Sequence, residues 1–138
     1  MIASNGLVYT FIPTNVAEKL LYTTNNPAQL TEALEQTETI LEKELENPNP
    51  EFRNYVSDFT TQICTFVDEP SFKICLTSLR IIHKLCLNVV ELVQLSNKEY
   101  ERLLEVIDQK VVIRHSVLKI FYLLARSQGG DLIVEKVF

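Results

Sequence analysis

The sequence predicts an all-α protein, an α-solenoid of about three helical pairs followed by one C-terminal helix. The first observation behind this is a repeat, because residues 69–85 and 108–124 align without a gap. The second is an apolar residue at every third or fourth position, which is the period of a helix with one buried face. The third is a shortage of turn-forming residues, since 138 residues include only 3 Gly and 5 Pro.

The repeat places apolar residues of the two segments at equivalent positions. The aligned pairs are Phe72 with Val111, Ile74 with Ile113, Leu79 with Leu118, Ile82 with Phe121, and Leu85 with Leu124. The segment 30–41 joins the same register more weakly. One helical pair cannot bury its apolar face alone, whereas stacked pairs can. Stacked pairs are therefore expected, with their connecting turns along one edge.

The first half of the chain divides into three predicted helices. Residues 1–12 are expected to form an extended lead-in, after which Pro13 opens a short helix that ends near residue 23. Asn26 before Pro27 is typical of a helix start, and this second helix reaches about Glu46. Asn-Pro-Asn-Pro is the clearest break in the chain, and the third predicted helix, 51–67, follows it.

The second half of the chain begins with the predicted turn that ends at Ser71. Ser71 is the expected cap of a fourth helix, which reaches about Val90 and is apolar on most sides, as suits a buried position. Ser96 with Glu99 three residues later predicts a capping box at the start of a fifth helix.

The last two predicted helices follow the corner at 108–109. The sixth runs from Lys110 to about residue 127 and is stopped by two glycines at 129–130. Asp131 is the expected cap of a seventh helix. The whole chain, 1–138, is thus expected to form a single helical-repeat domain.

Composition excludes several classes of function. The net charge of −5 disfavours nucleic-acid binding by the whole surface, although basic residues are frequent between 73 and 126. Neither a targeting segment nor an apolar run long enough for a membrane helix is found. The three cysteines lie in apolar helical patterns, which predicts buried, reduced thiols and a cytoplasmic protein.

No pattern of residues indicates an enzyme, a cofactor or a metal site. His83 and His115 have no ligand-type residue at metal-binding spacing, and each is expected to be a surface or half-buried side chain. The glutamates between 32 and 51 lack the loop chemistry of a calcium site and are expected to form a solvated helix face. A nucleophile elbow and a glycine-rich phosphate loop are both absent from the sequence.

The aligned residues resemble HEAT repeats of TOG domains. The segment TFVDEPSFKICLTSLRIIHKL, residues 65–85, is similar to the second repeat, which often carries the string D-x-N-F-K-V-x-x-x-x-L-x-I-L-x-x-L. The segment LLEVIDQKVVIR, residues 103–114, looks like the next repeat, and FIPTNVAEKLL, residues 11–21, like the lead into a first one. These segments resemble the TOG-like domains of the crescerin group, which are ciliary and centriolar proteins, more than those of the large microtubule polymerases.

The resemblance implies HEAT-like helical pairs and binding of tubulin or microtubules through the loops inside each pair. Those loops fall at 24–27, 68–73 and 108–110. Two interpretations of Lys73 and Lys110 stay open: they attract the acidic surface of tubulin and speed encounter, or they are solvated lysines at helix starts. Arg114 is expected to have a structural role, with Asp108 as its candidate partner. The expected partner-binding residues are Asn25, Asn26, Pro27, Ser71, Lys73, Gln109 and Lys110.

Two departures from the TOG pattern leave alternatives open. The first loop has Pro27 and Leu30 where tubulin binders carry a Trp and a basic residue, and the chain holds about half the pairs of a full domain. The chain is thus a fragment, or a short relative with weak or lost tubulin binding. The alternative function is a HEAT or armadillo scaffold for another protein or peptide, bound by the concave helical surface or the acidic second helix.

Two further expectations concern assembly and location. Self-association through the C-terminal helix is left open, because that helix carries Leu132, Ile133, Val134, Val137 and Phe138. The resemblance implies a cytoskeletal location, at the centrosome, the centriole or the cilium.

Overall fold

The structure, a computed structural model, describes residues 2–22 and 25–128. Six α-helices occur in this part of the chain, which confirms the predicted all-α class. They are α1 (Thr14–Tyr22), α2 (Pro27–Glu46), α3 (Val56–Cys64), α4 (Phe72–Val89), α5 (Asn97–Val106) and α6 (Val111–Gln128), with 3₁₀ turns at Phe52–Asn54 and Val90–Leu92. The predicted seventh helix, 131–138, lies outside the described residues.

Two predicted helix starts are capped as the sequence indicates. The Asn26 side-chain oxygen accepts a hydrogen bond from the Gln29 backbone N–H at 3.2 Å, and Pro27 occupies the first turn of α2. The Ser71 hydroxyl accepts from the Ile74 N–H at 3.5 Å. Each cap satisfies one of the backbone donors that a helix start leaves unpaired.

The predicted capping box at the start of α5 is wrong in its chemistry. Ser96 is the residue before the helix, but its side chain makes no capping hydrogen bond. Glu99 is instead buried against α3, where it accepts a hydrogen bond from the Thr61 hydroxyl at 3.1 Å. The side chain that was expected to close a local motif therefore joins two helices.

The third helix is shorter than predicted. Its first turn, Phe52–Asn54, is a 3₁₀ turn, and α3 ends at Cys64 instead of continuing to residue 67. The backbone N–H groups of residues 65–67 donate hydrogen bonds to the carbonyl oxygens three positions back, which is the tighter pattern that ends many helices.

The prediction of an extended lead-in is also wrong for residues 2–12. Val8 forms isolated antiparallel bridges with both Ile2 and Ile12, so this segment folds back on itself twice. The reversal places Tyr9 and Thr10 at positive φ, 56° and 79°, which non-glycine residues rarely adopt. The Tyr9 ring lies edge-on to Phe59, with 5.4 Å between the ring centroids. Aromatic packing on α3 therefore accompanies the strained backbone.

The helices contact one another as pairs, with α4 at the centre. Helix α1 contacts α2, α3 contacts α4, and α5 contacts α6, while α4 also packs against both α2 and α6. Nine residues of α4 are buried, in agreement with its predicted central position. No helix in the described part of the chain is long and apolar enough to cross a bilayer.

The repeat alignment holds at three of the five aligned positions of α6 and fails at the other two, one of which is Val111, 59% exposed whereas Phe72 is half-buried. Ile113, Phe121 and Leu124 are buried like their partners in α4, but Leu118 is 46% exposed whereas Leu79 is fully buried. Helix α4 is covered on both flanks by α2 and α6, and α6 has a neighbouring helix in the described structure on only one of them. The same sequence position therefore lies in the core of α4 and on the surface of α6.

Candidate functional site

The second and third connecting loops lie side by side. The Lys110 ammonium, just before α6, is 4.1 Å from the centroid of the Phe72 ring, at the first residue of α4. This is a cation–π contact, which fixes the position of the lysine head group. Lys73 and Gln109 beside it are exposed, whereas Ser71 is half-buried by its capping role. The sequence predicts Ser71, Lys73, Gln109 and Lys110 on one edge. The contact between Lys110 and Phe72 joins two of the three connecting segments of that edge.

The first connecting loop presents Asn25, Asn26 and Pro27 to solvent. The Asn26 side chain is committed to the start of α2, where its oxygen holds the Gln29 N–H. Asn25 and Pro27 flank that cap. This loop therefore offers polar backbone and a proline ring, without a large side chain on its described residues.

Arg114 has the structural role that the sequence indicates, but with a different partner. Its Nε donates a hydrogen bond to the Ile107 carbonyl oxygen at 3.2 Å, which ties α6 to the end of α5. Among the described residues it forms no ion pair with Asp108. Arg114 thus holds the corner that carries Lys110 and is not a free cation of the loop edge.

The acidic face of α2 is partly committed to packing, which corrects the prediction that its glutamates are simply solvated. Glu38 accepts hydrogen bonds from Arg80 of α4 at 3.0 and 3.1 Å. The Lys84 ammonium lies 3.3 Å from Glu38 and 3.2 Å from Glu42. Burial raises the pKa of Glu38, but the hydrogen bonds and charges of Arg80 and Lys84 outweigh it and lower the pKa. Ion pairs between the two helices therefore bridge the α2–α4 junction.

The α4–α6 junction is instead open and apolar. A groove of about 380 Å³ runs along it. Its lining residues are His83, Leu87, His115, Leu118, Lys119, Tyr122 and Leu123. Leu87 is 58% exposed and Tyr122 is 60% exposed, so large apolar side chains meet solvent here. We call this feature the α4–α6 groove.

The charged groups around the α4–α6 groove are basic. None of its lining residues is acidic, and Lys119 lies among them. The pKa of His83 is lowered, first by burial and then by the charges of Lys119 and Lys84. The Arg126 guanidinium lies 5.6 Å from the centroid of the Tyr122 ring, close to the end of α6. The groove therefore suits an apolar ligand with acidic residues at its margin.

The sequence did not indicate this groove. The sequence predicts His83 and His115 only as separate surface or half-buried side chains, and the structure places both on one surface. A visible indication was the second apolar stripe of α6, since Val111, Leu118 and Tyr122 recur at helical spacing on the side away from its buried residues. Such a stripe is a candidate contact surface.

The three cysteines are buried thiols, as predicted. Burial raises the pKa of Cys64 and Cys86 to about 12 and that of Cys75 to about 11. Residues 2–22 and 25–128 contain no group of three His, Cys, Asp or Glu side chains that could hold a metal ion. The thiols therefore contribute to the core and carry no charge at neutral pH.

Comparison of this chain with family models, with curated proteins and with solved structures gave no match. Its function must therefore be argued from the residues and the geometry described above.

Proposed function

We propose that this chain is a TOG-like protein-interaction module, whose edge of connecting loops docks on tubulin or microtubules. The observation that carries the proposal is the contact between Lys110 and Phe72, because it brings the second and third loops together. Loops from successive helical pairs then form one continuous rim, which is how repeat proteins present an extended binding surface.

The proposal includes a short α-solenoid as the scaffold of this rim. It is supported by the order of the packing, since α2, α4 and α6 contact one another in sequence and α3 contacts α5. Each of these helices belongs to a pair whose two members also touch. Such nearest-neighbour packing is typical of stacked repeats.

The charge of the rim fits an acidic partner. Lys73, in the first turn of α4 and not in the loop before it, is exposed beside the Phe72–Lys110 contact, so two ammonium groups lie at neighbouring helix starts. Complementary charge of this kind accelerates encounter more than it adds affinity, and salt weakens it. Without a tryptophan in the first loop the chain lacks a large aromatic anchor, and we expect weak, salt-sensitive binding.

The test is binding to unpolymerised tubulin by fluorescence, together with microtubule co-sedimentation at low salt. We expect the double variant Lys73→Glu, Lys110→Glu to lose about tenfold or more in affinity, because two attractive charges become repulsive. Lys98→Glu is the matched control, since Lys98 is an exposed lysine at the opposite end of α5 from the loop edge. Absence of tubulin binding, or equal loss in the control, would contradict the proposal.

A second candidate is a scaffold for a different protein, and the α4–α6 groove favours it. Exposed Leu87, Leu118 and Tyr122 provide the apolar centre that protein interfaces use. Charge reversal at Glu35, an exposed residue of α2, tests the acidic helix without touching the Lys84 bridges that involve Glu42. A partner other than tubulin whose binding is lost with Glu35→Lys or Leu87→Asp supports this second function.

The location that accompanies the first proposal is the cytoplasm, on the cytoskeleton at the centrosome, the centriole or the cilium. Fluorescent tagging of the chain in ciliated cells measures it directly. A diffuse signal that does not follow microtubules would argue for the second candidate.

A further inference from the structure

The α4–α6 groove is an apolar surface with nothing on it among the described residues. Leu118 and Tyr122 project from the side of α6 that faces away from its buried stripe, and Leu87 of α4 forms the opposite wall. Apolar surface that is rimmed by polar residues often marks a place where another segment or protein binds. The groove is therefore a candidate binding surface.

The chain itself continues with a suitable sequence. Helix α6 ends at Gln128, two glycines follow, and residues 131–138 read Asp-Leu-Ile-Val-Glu-Lys-Val-Phe. Five of these eight side chains are apolar. Adjacent glycines accept backbone angles that other residues avoid, so a reversal of the chain at 129–130 carries no steric penalty.

The distances allow this segment to reach the groove. Tyr122 precedes Gln128 by six residues and Leu118 by ten, which corresponds to about 9 and 15 Å along the axis of α6 at about 1.5 Å per residue. Eight residues span about 26 Å when extended and about 12 Å when helical. A segment that turns back at the glycines thus runs alongside Tyr122 in either conformation, and it reaches Leu118 when it is extended.

The charges also match. The segment carries Asp131 and Glu135 against a single lysine, while the groove has Lys119 within it and Arg126 beside Tyr122 at the end nearest Gln128. Acidic side chains that flank an apolar run would therefore lie near basic groups. A second copy of the chain would offer the same residues, but without the advantage of covalent attachment.

We infer that residues 131–138 bind in the α4–α6 groove of their own chain and cover Leu118 and Tyr122. A short tether gives an effective concentration in the millimolar range, so even a contact too weak to hold a free peptide is substantially occupied. Any partner that uses the groove must then displace this segment. The inference concerns a surface away from the loop edge and does not depend on tubulin binding.

The experiment measures how accessible position 118 is. In the full chain, Leu118→Cys introduces one exposed thiol, while the native cysteines stay unreactive because they are buried. The labelling rate with a water-soluble thiol reagent is compared between the intact segment and a variant with Leu132→Asp and Val137→Asp. Glu101→Cys, on an exposed position of α5 outside the groove, is the matched control, and far-UV circular dichroism confirms that every variant is folded.

We expect the charged segment to raise labelling at position 118 about fivefold or more, as release from a mostly occupied tethered site predicts. Labelling at position 101 should change less than twofold. Protection that is independent of protein concentration is the expected result. Protection that grows with concentration shows that a second copy occupies the groove, and equal labelling with both segments shows that nothing of this chain does; either result overturns the inference.

Discussion

Leu79 and Leu118 provide the sharpest test of the packing, because the repeat aligns them and the structure separates them. Leu79 is fully buried in α4, between α2 and α6, whereas Leu118 is 46% exposed on α6. Truncation of each residue to alanine removes the same atoms. Any difference in the free energy of unfolding therefore reports the difference in their surroundings.

The expected magnitudes follow from this burial. Leu79→Ala removes buried methyl groups and leaves a cavity at the centre of the structure, which costs about 2–5 kcal/mol. Leu118 lies on the surface of α6, and a tethered segment over it can move closer to a smaller side chain, so Leu118→Ala opens no enclosed cavity. Full burial of a leucine side chain stabilises by about 1.5–3 kcal/mol, so we expect a loss of about 1 kcal/mol or less.

Urea denaturation followed by circular dichroism measures both variants against the unmodified chain. The slope with denaturant should be unchanged, so that the shift in midpoint reports stability alone. Losses that agree within about 0.5 kcal/mol would mean that α4 and α6 have equivalent surroundings. In that case the central position of α4, and the open face of α6, would both be wrong.

Three further results are expected. Glu38→Gln should cost about 0.5–1 kcal/mol at neutral pH, because Arg80 loses a partner at a half-exposed site. Since the pKa of Glu38 is lowered from 4.5, its stabilisation is present above that pH and is lost as the pH falls through the folded-state pKa, so Glu38→Gln should flatten the acid limb of a stability profile. Lys110→Met should cost about 0.5–1 kcal/mol in urea denaturation through the lost contact with Phe72, whereas Lys73→Met should change stability by less than about 0.5 kcal/mol. All three native thiols should resist labelling at pH 8 until the chain unfolds, since burial raises their pKa to about 11–12, and a fast phase in native protein would contradict that burial.

The helices of this protein were predictable because their determinants are local. Asn26 before Pro27 and Ser71 before Phe72 set two helix starts, and both caps are formed as expected. The apolar spacing of residues 72–89 predicts a helix buried on most sides, and α4 is such a helix. In each case the residues that decide the outcome lie within one turn of the position they affect.

Two of the wrong predictions concern side chains for which both a local and a distant partner were available. Glu99 fits a capping box with Ser96, yet it bonds Thr61 on another helix. Glu38 fits a solvated face, yet it binds Arg80, which is 42 residues away in sequence. A pattern that spans four residues contains no information about which helix packs alongside.

The candidate binding surfaces, too, were predictable only in their local features. The sequence by itself placed Ser71, Gln109 and Lys110 in the turns between helices, because turn position follows from helix ends, whereas Lys73, expected in the loop 68–73, lies in the first turn of α4. Only the tertiary structure put the Lys110 head group on Phe72 and opened the α4–α6 groove. The physical reason is that helix formation is governed by residues three and four apart, whereas the exposure of a helix face depends on which neighbours cover it.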